Sequence, residues 1–181
     1  MLIEHRNVVN LMRWVIEEYG CNENDSGALT SSMCFDASIE MIFGMLITGG
    51  VLHILKNEEI LNPYEIREYL LRYSITLLSS TPSYFVEMTR ALPKGAWTKP
   101  FESAMRFVSG GELLREQDSK IILSSFNLDL LYNTYGPTET TVNATSVQVG
   151  LACEYGVSIG KPLPNYRIYI LDEGDGLCPI G

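Results

Sequence analysis

Residues 62–93 read NPYEIREYLLRYSITLLSSTPSYFVEMTRALP, and this stretch decides the fold class. Asn62, Pro63 and Glu65 give an N-cap, a first-turn proline and a capping-box acid. Ile66, Tyr69, Leu70 and Tyr73 then repeat at i, i+3, i+4 and i+7, which predicts a helix with one apolar face. Thr81 and Pro82 repeat the start signal. Phe85, Met88 and Leu92 continue it at helical spacing until Pro93 and Gly95 stop the second helix. The apolar segment 75–80 between them is too short for a helix and reads as a buried strand.

Helix–strand–helix alternation continues outward in both directions. Strands are predicted near 28–35, 51–55, 105–109 and 128–134, and helices near 8–19, 38–46 and 115–126. Such alternation builds a mostly parallel sheet covered by helices. Beyond Tyr135 the texture changes. Val142, Ala144, Ser146 and Gln148, then Tyr166, Ile168 and Ile170, alternate with no helix between them, which predicts antiparallel strands. The expected fold is α/β: a flavodoxin-like, mostly parallel sheet with helices on both faces, followed by the start of a second, more antiparallel sheet or barrel. The expected division is 1–134 for the parallel-sheet subdomain and 135–181 for a turn and the start of the second unit.

Composition narrows the function. The chain has 181 residues, 46% hydrophobic and 19% charged, in the ordinary globular range. Its net charge of −9 disfavours nucleic-acid and anionic-membrane surfaces, which need clustered Lys and Arg. Cys21, Cys34, Cys153 and Cys178 lack C-x-x-C spacing and have only His5 and His53 as possible nitrogen co-ligands, so neither a zinc site nor a disulfide framework is expected. Free thiols suit a reducing compartment. The most apolar run, 42–55, is about fourteen residues against the roughly twenty that a membrane-spanning helix needs. With no basic, apolar leader at the N-terminus, the cytoplasm is the default location.

In open parallel sheets, ligands bind beyond the carboxyl ends of the strands. Those ends read Phe35-Asp36-Ala37-Ser38, Ser79-Ser80-Thr81-Pro82, Ser109-Gly110-Gly111-Glu112 and Asn133-Thr134-Tyr135-Gly136-Pro137-Thr138-Glu139. Within the last, Tyr135 offers an aromatic face, Thr138 a hydroxyl donor and Glu139 a hard oxygen. A Gly-Pro turn entering a strand, without a ligand, is the plainer alternative.

The run N-T-Y-G-P-T-E-T-T at 133–141 closely resembles the signature of the adenylate-forming superfamily, and F-D-A-S at 35–38 resembles its amino-acid-activating branch, the adenylation domains of nonribosomal peptide synthetases. S-G-G-E at 109–112 resembles the family's adenine-side turn. M-L-I-E-H-R-N-V-V-N at 1–10 resembles the segment that follows its phosphate loop; S-I-G-K-P at 158–162 and C-P-I-G at 178–181 resemble the run toward a further motif. The resemblance implies that the complete enzyme uses ATP and Mg²⁺ to join an amino acid to AMP, then passes the aminoacyl group to the phosphopantetheine thiol of a peptidyl carrier protein. Thr138 and Glu139 would be catalytic, with Glu139 on the metal. Gly111, Glu112, Asn133, Tyr135, Gly136 and Thr138 would contact nucleotide. The family's phosphate loop, ribose-binding aspartate and mobile-domain lysine are not among these residues, so the chain is expected to need the rest of the adenylation domain and to turn over little alone.

By the same resemblance the amino-acid pocket is lined by Phe35, Asp36, Ala37, Glu40, Ser79, Val108, Gly110, Thr134, Val142 and Asn143. Asp36 would hold the substrate's α-ammonium; the residues alone equally allow an N-cap for the following helix. Glu40 lies one turn beyond Asp36, so both carboxylates can share a cavity. A buried carboxylate needs a partner, which suggests a basic substrate such as lysine or ornithine; a surface acid turned away from the pocket is the alternative. An acyl- or aryl-CoA ligase of the same superfamily would share 135–139 but would not need Asp36. A noncatalytic flavodoxin-like binding module is the more distant reading.

Overall fold

The computed structural model describes residues 1–93, 95–97, 105–128, 131–151 and 156–179. Its elements run α1 (His5–Tyr19), β1 (Ser26–Leu29), α2 (Ser38–Thr48), β2 (Val51–Ile54), α3 (Asn57–Leu61), α4 (Pro63–Arg72), β3 (Leu77–Ser80), α5 (Pro82–Ala91), β4 (Arg106–Ser109), α6 (Glu116–Phe126), β5 (Leu131–Tyr135), a 3₁₀ turn (Thr138–Thr140), β6 (Thr145–Val149) and β7 (Lys161–Pro162). The helix starts follow from their caps. Asn62 accepts the Tyr64 N–H at 3.0 Å, and Thr81 accepts the Tyr84 N–H at 3.3 Å. Glu65 completes its box through the Asn62 side-chain amide at 3.1 Å rather than the backbone.

The strands form a single sheet in the order β2-β1-β3-β4-β5-β6-β7. The first five are parallel, and their order, 2-1-3-4-5, is the flavodoxin-like doubly wound arrangement. Strand alternation sorts the core into two layers. Leu78, Phe107 and Leu131 face α4, α5 and α6, where Phe107 stacks near Phe85 at 5.0 Å and Phe126 at 4.7 Å. Leu77, Val108 and Tyr132 face α1 and α2, among Leu11, Val15, Met41 and Met45. At the amino ends of the strands, a buried Arg106–Asp25 ion pair ties β4 to the start of β1. Arg106 also donates to the carbonyl of Tyr19 at the end of α1, and Thr76 donates to Asp25 at 2.7 Å.

Several expectations are corrected. The first strand ends at Leu29, not Phe35: β3 pairs it only at Gly27 and Ala28, and the chain then turns through 30–37 into α2. The antiparallel strands exist, but β6 and β7 extend the same sheet rather than opening a second one. The β5–β6 pairing therefore crosses the division expected at residue 134. The alternation at 166–170 yields no named strand; beyond β7 the described residues show one isolated antiparallel bridge, Leu171–Leu177. The short helix α3 had not been anticipated. Residues 129–130 of the predicted fifth strand, Cys153, and the last two residues of C-P-I-G lie outside the described residues. Among the described residues, no helix is long and apolar enough to cross a membrane.

Candidate functional site

Period-two alternation carries the α1/α2 face of the sheet up to its carboxyl edge, where it is lined by Ser79, Val108 and Thr134. Gly110 sits against Thr134: a Cβ built on it would lie 2.7 Å from the Thr134 Oγ1, so the position admits no side chain without moving that hydroxyl. Thr134 itself donates to the Ser109 carbonyl at 3.4 Å. Opposite this edge, the loop after β1 delivers α2. Asp36 precedes the helix without capping it, because the N-cap is Ala37 and no side-chain cap bond forms. Asp36 is half-buried, Ala37 is exposed, and Phe35 is 68% exposed, turned out to solvent.

Glu40 is 5% exposed, which removes the surface-acid reading. Asn143 donates its amide N–H to the Glu40 Oε1 and, among the described residues, is the carboxyl's only hydrogen-bond partner. Burial first, and the neighbouring charge of Asp36 second, push the Glu40 carboxyl up to about 8. At neutral pH Glu40 is therefore largely protonated, since an acid whose ionised form is poorly solvated keeps its proton.

The run after β5 is folded tightly onto this floor. A Cβ on Gly136 would lie 2.5 Å from the Val142 carbonyl oxygen and 2.6 Å from both the Ala144 nitrogen and the Asn143 Cα, so glycine allows 136 to cross the 142–144 segment. The Ala144 N–H reaches the Tyr135 carbonyl at 2.8 Å. Thr141 and Val142 both have positive φ, +64° and +68°, a conformation that β-branched residues rarely adopt. Backbone strain of this kind concentrates at functional sites.

A cavity of about 290 Å³ joins Asp36 to Thr138, Thr141 and Val142, with His5 and Val8 of α1 on its other wall. Glu139 opens instead onto a neighbouring cavity of about 470 Å³, with Arg6, Asn10 and Tyr166. Glu139 is exposed, as is half of Tyr135. Among the described residues no group of three or more His, Cys, Asp or Glu could hold a metal by itself. A lone exposed carboxylate still fits Mg²⁺, which is held by one or two carboxylates plus substrate phosphates and water.

Not every predicted residue points into the pocket. Asn133 lies on the opposite strand face and donates to the Ser158 carbonyl at 2.9 Å. Glu112 accepts from the Ser83 hydroxyl at 2.9 Å and backbone N–H at 3.3 Å, so its carboxylate is engaged at the start of α5. Gly111 has φ +79°, which leaves the 110–111 backbone bare at the sheet edge. The structure thus brings Asp36, Glu40, Ser79, Val108, Gly110, Thr134, Thr138, Val142 and Asn143 to one end of the sheet. Sequence reasoning missed Thr141, a buried residue that lines the same cavity as Asp36 and Thr138.

A cavity beyond the carboxyl ends of a 2-1-3-4-5 sheet, lined by Asp36 and by Thr138 and Thr141 of the turn after β5, lies where doubly wound α/β proteins bind their ligands. The chain belongs to the AMP-binding enzyme family, which matches residues 1–181. It is similar to surfactin synthase subunit 2 of Bacillus subtilis (strain 168), 36% identical over 99% of this chain and 5% of that protein. Bacitracin synthase 3 of Bacillus licheniformis is 34% identical over all of this chain and 3% of its own length. The chain also superposes on the crystal structure of a holo four-domain nonribosomal peptide synthetase bound to AMP and glycine. The TM-score is 0.87 at 26% identity, covering 98% of this chain and 13% of that one. The chain thus spans a small fraction of the relatives it matches, and its fold is that of a nonribosomal peptide synthetase adenylation domain.

Proposed function

We propose that this chain forms the amino-acid pocket of an adenylation domain that activates a basic amino acid, such as lysine or ornithine, in nonribosomal peptide synthesis in the cytoplasm. The reading rests on one observation above others: a buried carboxyl, Glu40, sits one helical turn behind Asp36. Asp36 would hold the substrate's α-ammonium. The distal ammonium would displace the proton from Glu40, converting a buried neutral acid into one half of an ion pair, while the Asn143 amide N–H keeps that carboxylate oriented. Ser79, Gly110 and Thr134 are small and leave room for the methylene chain.

The substrate carboxylate, presented toward Thr138, would attack the α-phosphate of ATP and release pyrophosphate. The aminoacyl group would then pass to the phosphopantetheine thiol of a carrier protein. Thr138 would donate its hydroxyl to a phosphate oxygen, Tyr135 would offer its exposed ring to the adenine, and Glu139 would hold Mg²⁺. The metal, when bound, supplies charge stabilisation for the phosphate oxygens. The phosphate-side groups within these residues are few, so the chain taken by itself should turn over little, and the rest of the adenylation domain is its first partner.

Amino-acid-dependent ATP–pyrophosphate exchange by the full-length protein, run over a panel of acidic, apolar, aromatic and basic amino acids, tests this. Exchange with lysine or ornithine is the expected outcome, lost in Glu40→Ala. A Glu40→Ala protein that keeps its preference for lysine removes the basic-substrate reading, and absence of exchange with any amino acid removes the activation reading.

A further inference from the structure

The head of α5 is capped from two places in the chain. Pro82, its first residue, has no N–H to satisfy. The Tyr84 N–H goes to the Thr81 Oγ1 at 3.3 Å, and the Phe85 N–H to the Thr81 carbonyl at 3.2 Å. The Ser83 N–H is taken instead by Glu112, 29 positions along the chain, whose Oε2 lies at 3.3 Å. The Ser83 hydroxyl donates to the other carboxylate oxygen, Oε1, at 2.9 Å. Because the single Ser83 hydroxyl proton is committed to Glu112, the Thr81 hydroxyl, 3.0 Å from the Ser83 oxygen, supplies the proton of that contact. The helix dipole also favours a carboxylate in this place.

Glu112 belongs to the short run between β4 and α6. That run is fixed at its start, where the Gly110 N–H bonds to the Ser80 carbonyl at 3.2 Å, and at Leu114, which is 3% exposed and part of the core. Between those points Gly111 has φ +79° and no side chain, a conformationally permissive link. The Glu112 carboxylate ties this link sideways onto α5. The same run borders an exposed aromatic residue. The Ser109–Asn133 register carries β4 out of the sheet as Gly110-Gly111, beside Thr134 and Tyr135 of β5, and Tyr135 is 51% exposed. Bare backbone next to an exposed ring suits a flat base. We infer that Glu112 is a positioning residue for the nucleotide: its carboxylate does not touch the base but, seated on Ser83, holds the Gly110-Gly111 backbone where a base stacked on Tyr135 meets it. This deepens the proposed reading and rests on Tyr135 taking the adenine.

The test is a double-mutant cycle on Ser83 and Glu112 in the full-length protein, read as Kd for ATP by calorimetry and as KM for ATP in pyrophosphate exchange. Glu112→Ala frees the turn and should raise both by about 5–10-fold, with KM for the amino acid within about twofold. Glu112→Gln keeps an oxygen for the Ser83 hydroxyl and should raise them only about twofold. Ser83→Ala removes the hydroxyl and leaves the backbone N–H, so a rise of about threefold is expected, vanishing when residue 112 is already alanine. An effect of Glu112→Ala that Ser83→Ala does not share, or to which Ser83→Ala adds in full, overturns the inference, because either would put the carboxylate on the nucleotide itself. An unchanged Kd for ATP in Glu112→Ala, with or without a lower melting temperature, overturns it as well, since the bond would then serve the fold alone. Binding is measured apart from turnover: a wild-type protein that binds ATP with the expected responses but exchanges with no amino acid sinks the activation reading and upholds this one. A wild-type protein that binds no ATP sinks both.

Discussion

Glu40→Gln should make the unliganded chain more stable, and increasingly so as the pH rises. A glutamate whose carboxyl is raised from 4.5 to about 8 on folding carries one more proton in the folded than in the unfolded state between those values. Stability therefore falls as pH rises through that window: it is intact below about 4.5 and fully lost above about 8. Each pH unit removes about 1.4 kcal/mol, which amounts to roughly 3 kcal/mol by pH 7 and close to 5 kcal/mol above pH 8.5. Against a total of about 5–15 kcal/mol for a domain, such a loss is measurable. Glutamine has nearly the same shape, keeps an oxygen to accept from Asn143, and cannot ionise. Urea denaturation of both proteins at pH 5, 7 and 8.5, without amino acid, should give curves that agree within about 1 kcal/mol at pH 5 and diverge by about 4 kcal/mol at pH 8.5. Other titrations, including that of His53, whose burial lowers its pKa, are common to both proteins and drop out of the difference. A difference independent of pH would refute the placement of Glu40 as a desolvated acid.

Three further outcomes follow from the geometry. Asp36→Asn should lower kcat/KM for the amino acid by about a hundredfold, as expected for loss of a charge-assisted contact of about 3 kcal/mol, while KM for ATP stays within about twofold; exchange kinetics at varied amino acid and ATP check this. Gly136→Ala puts a Cβ within 2.6 Å of three backbone or carbonyl atoms of 142–144. Relief needs a movement of nearly 1 Å, so overpacking of about 1–3 kcal/mol should appear in the melting curve, together with at least a tenfold rise in amino-acid KM as Asn143 is drawn from Glu40. Arg106→Ala leaves Asp25, with a side chain 7% exposed, without its cation. It should destabilise by about 3–5 kcal/mol in denaturant titrations without altering the ranking of amino acids, because the pair lies at the opposite end of the sheet from the pocket.

The parts of the fold that were legible in the sequence are those fixed by local chemistry. Asn62-Pro63 and Thr81-Pro82 start helices because a side-chain oxygen next to a φ-restricted residue satisfies the first free N–H groups wherever it occurs. The 2-1-3-4-5 order concerns partners far apart in the chain, and only the alternation of elements hinted at it. The end of β1 was misread because 30–35 stays moderately apolar; pairing stops there because β3 no longer accompanies it, a long-range fact. α3 escaped notice because it is five residues long and its cap position is Lys56, not a capping type. The continuation of the sheet through β6 depends on a register, Leu131 with Val149 through Tyr135 with Thr145, that no periodicity states. At the site, Asp36 and Glu40 were visible as carboxylates one turn apart. The Asn143–Glu40 bond joins residues a hundred positions apart and needed coordinates.

The turn that carries Asn143 is held in place from both sides. Thr141 and Val142, both β-branched and both at positive φ, would separately favour another conformation by about 1–3 kcal/mol. They stay because the chain is pinned on each side. Before them, the Thr141 N–H bonds back to the Thr138 carbonyl at 3.0 Å; after them, the Ala144 N–H bonds to Tyr135 at 2.8 Å and the Leu163 N–H to Ala144 at 2.9 Å. The five residue pairs of β5 and β6 then close the hairpin. With both ends of the turn fixed by the sheet and Gly136 lying beneath it, Asn143 has a single place for its amide, which is against Glu40. The position of Asn143 against Glu40 is therefore built from sheet geometry. On the proposed reading, a substrate that replaced the Glu40 proton would meet a partner already oriented, so little of its binding energy would be spent on ordering the site.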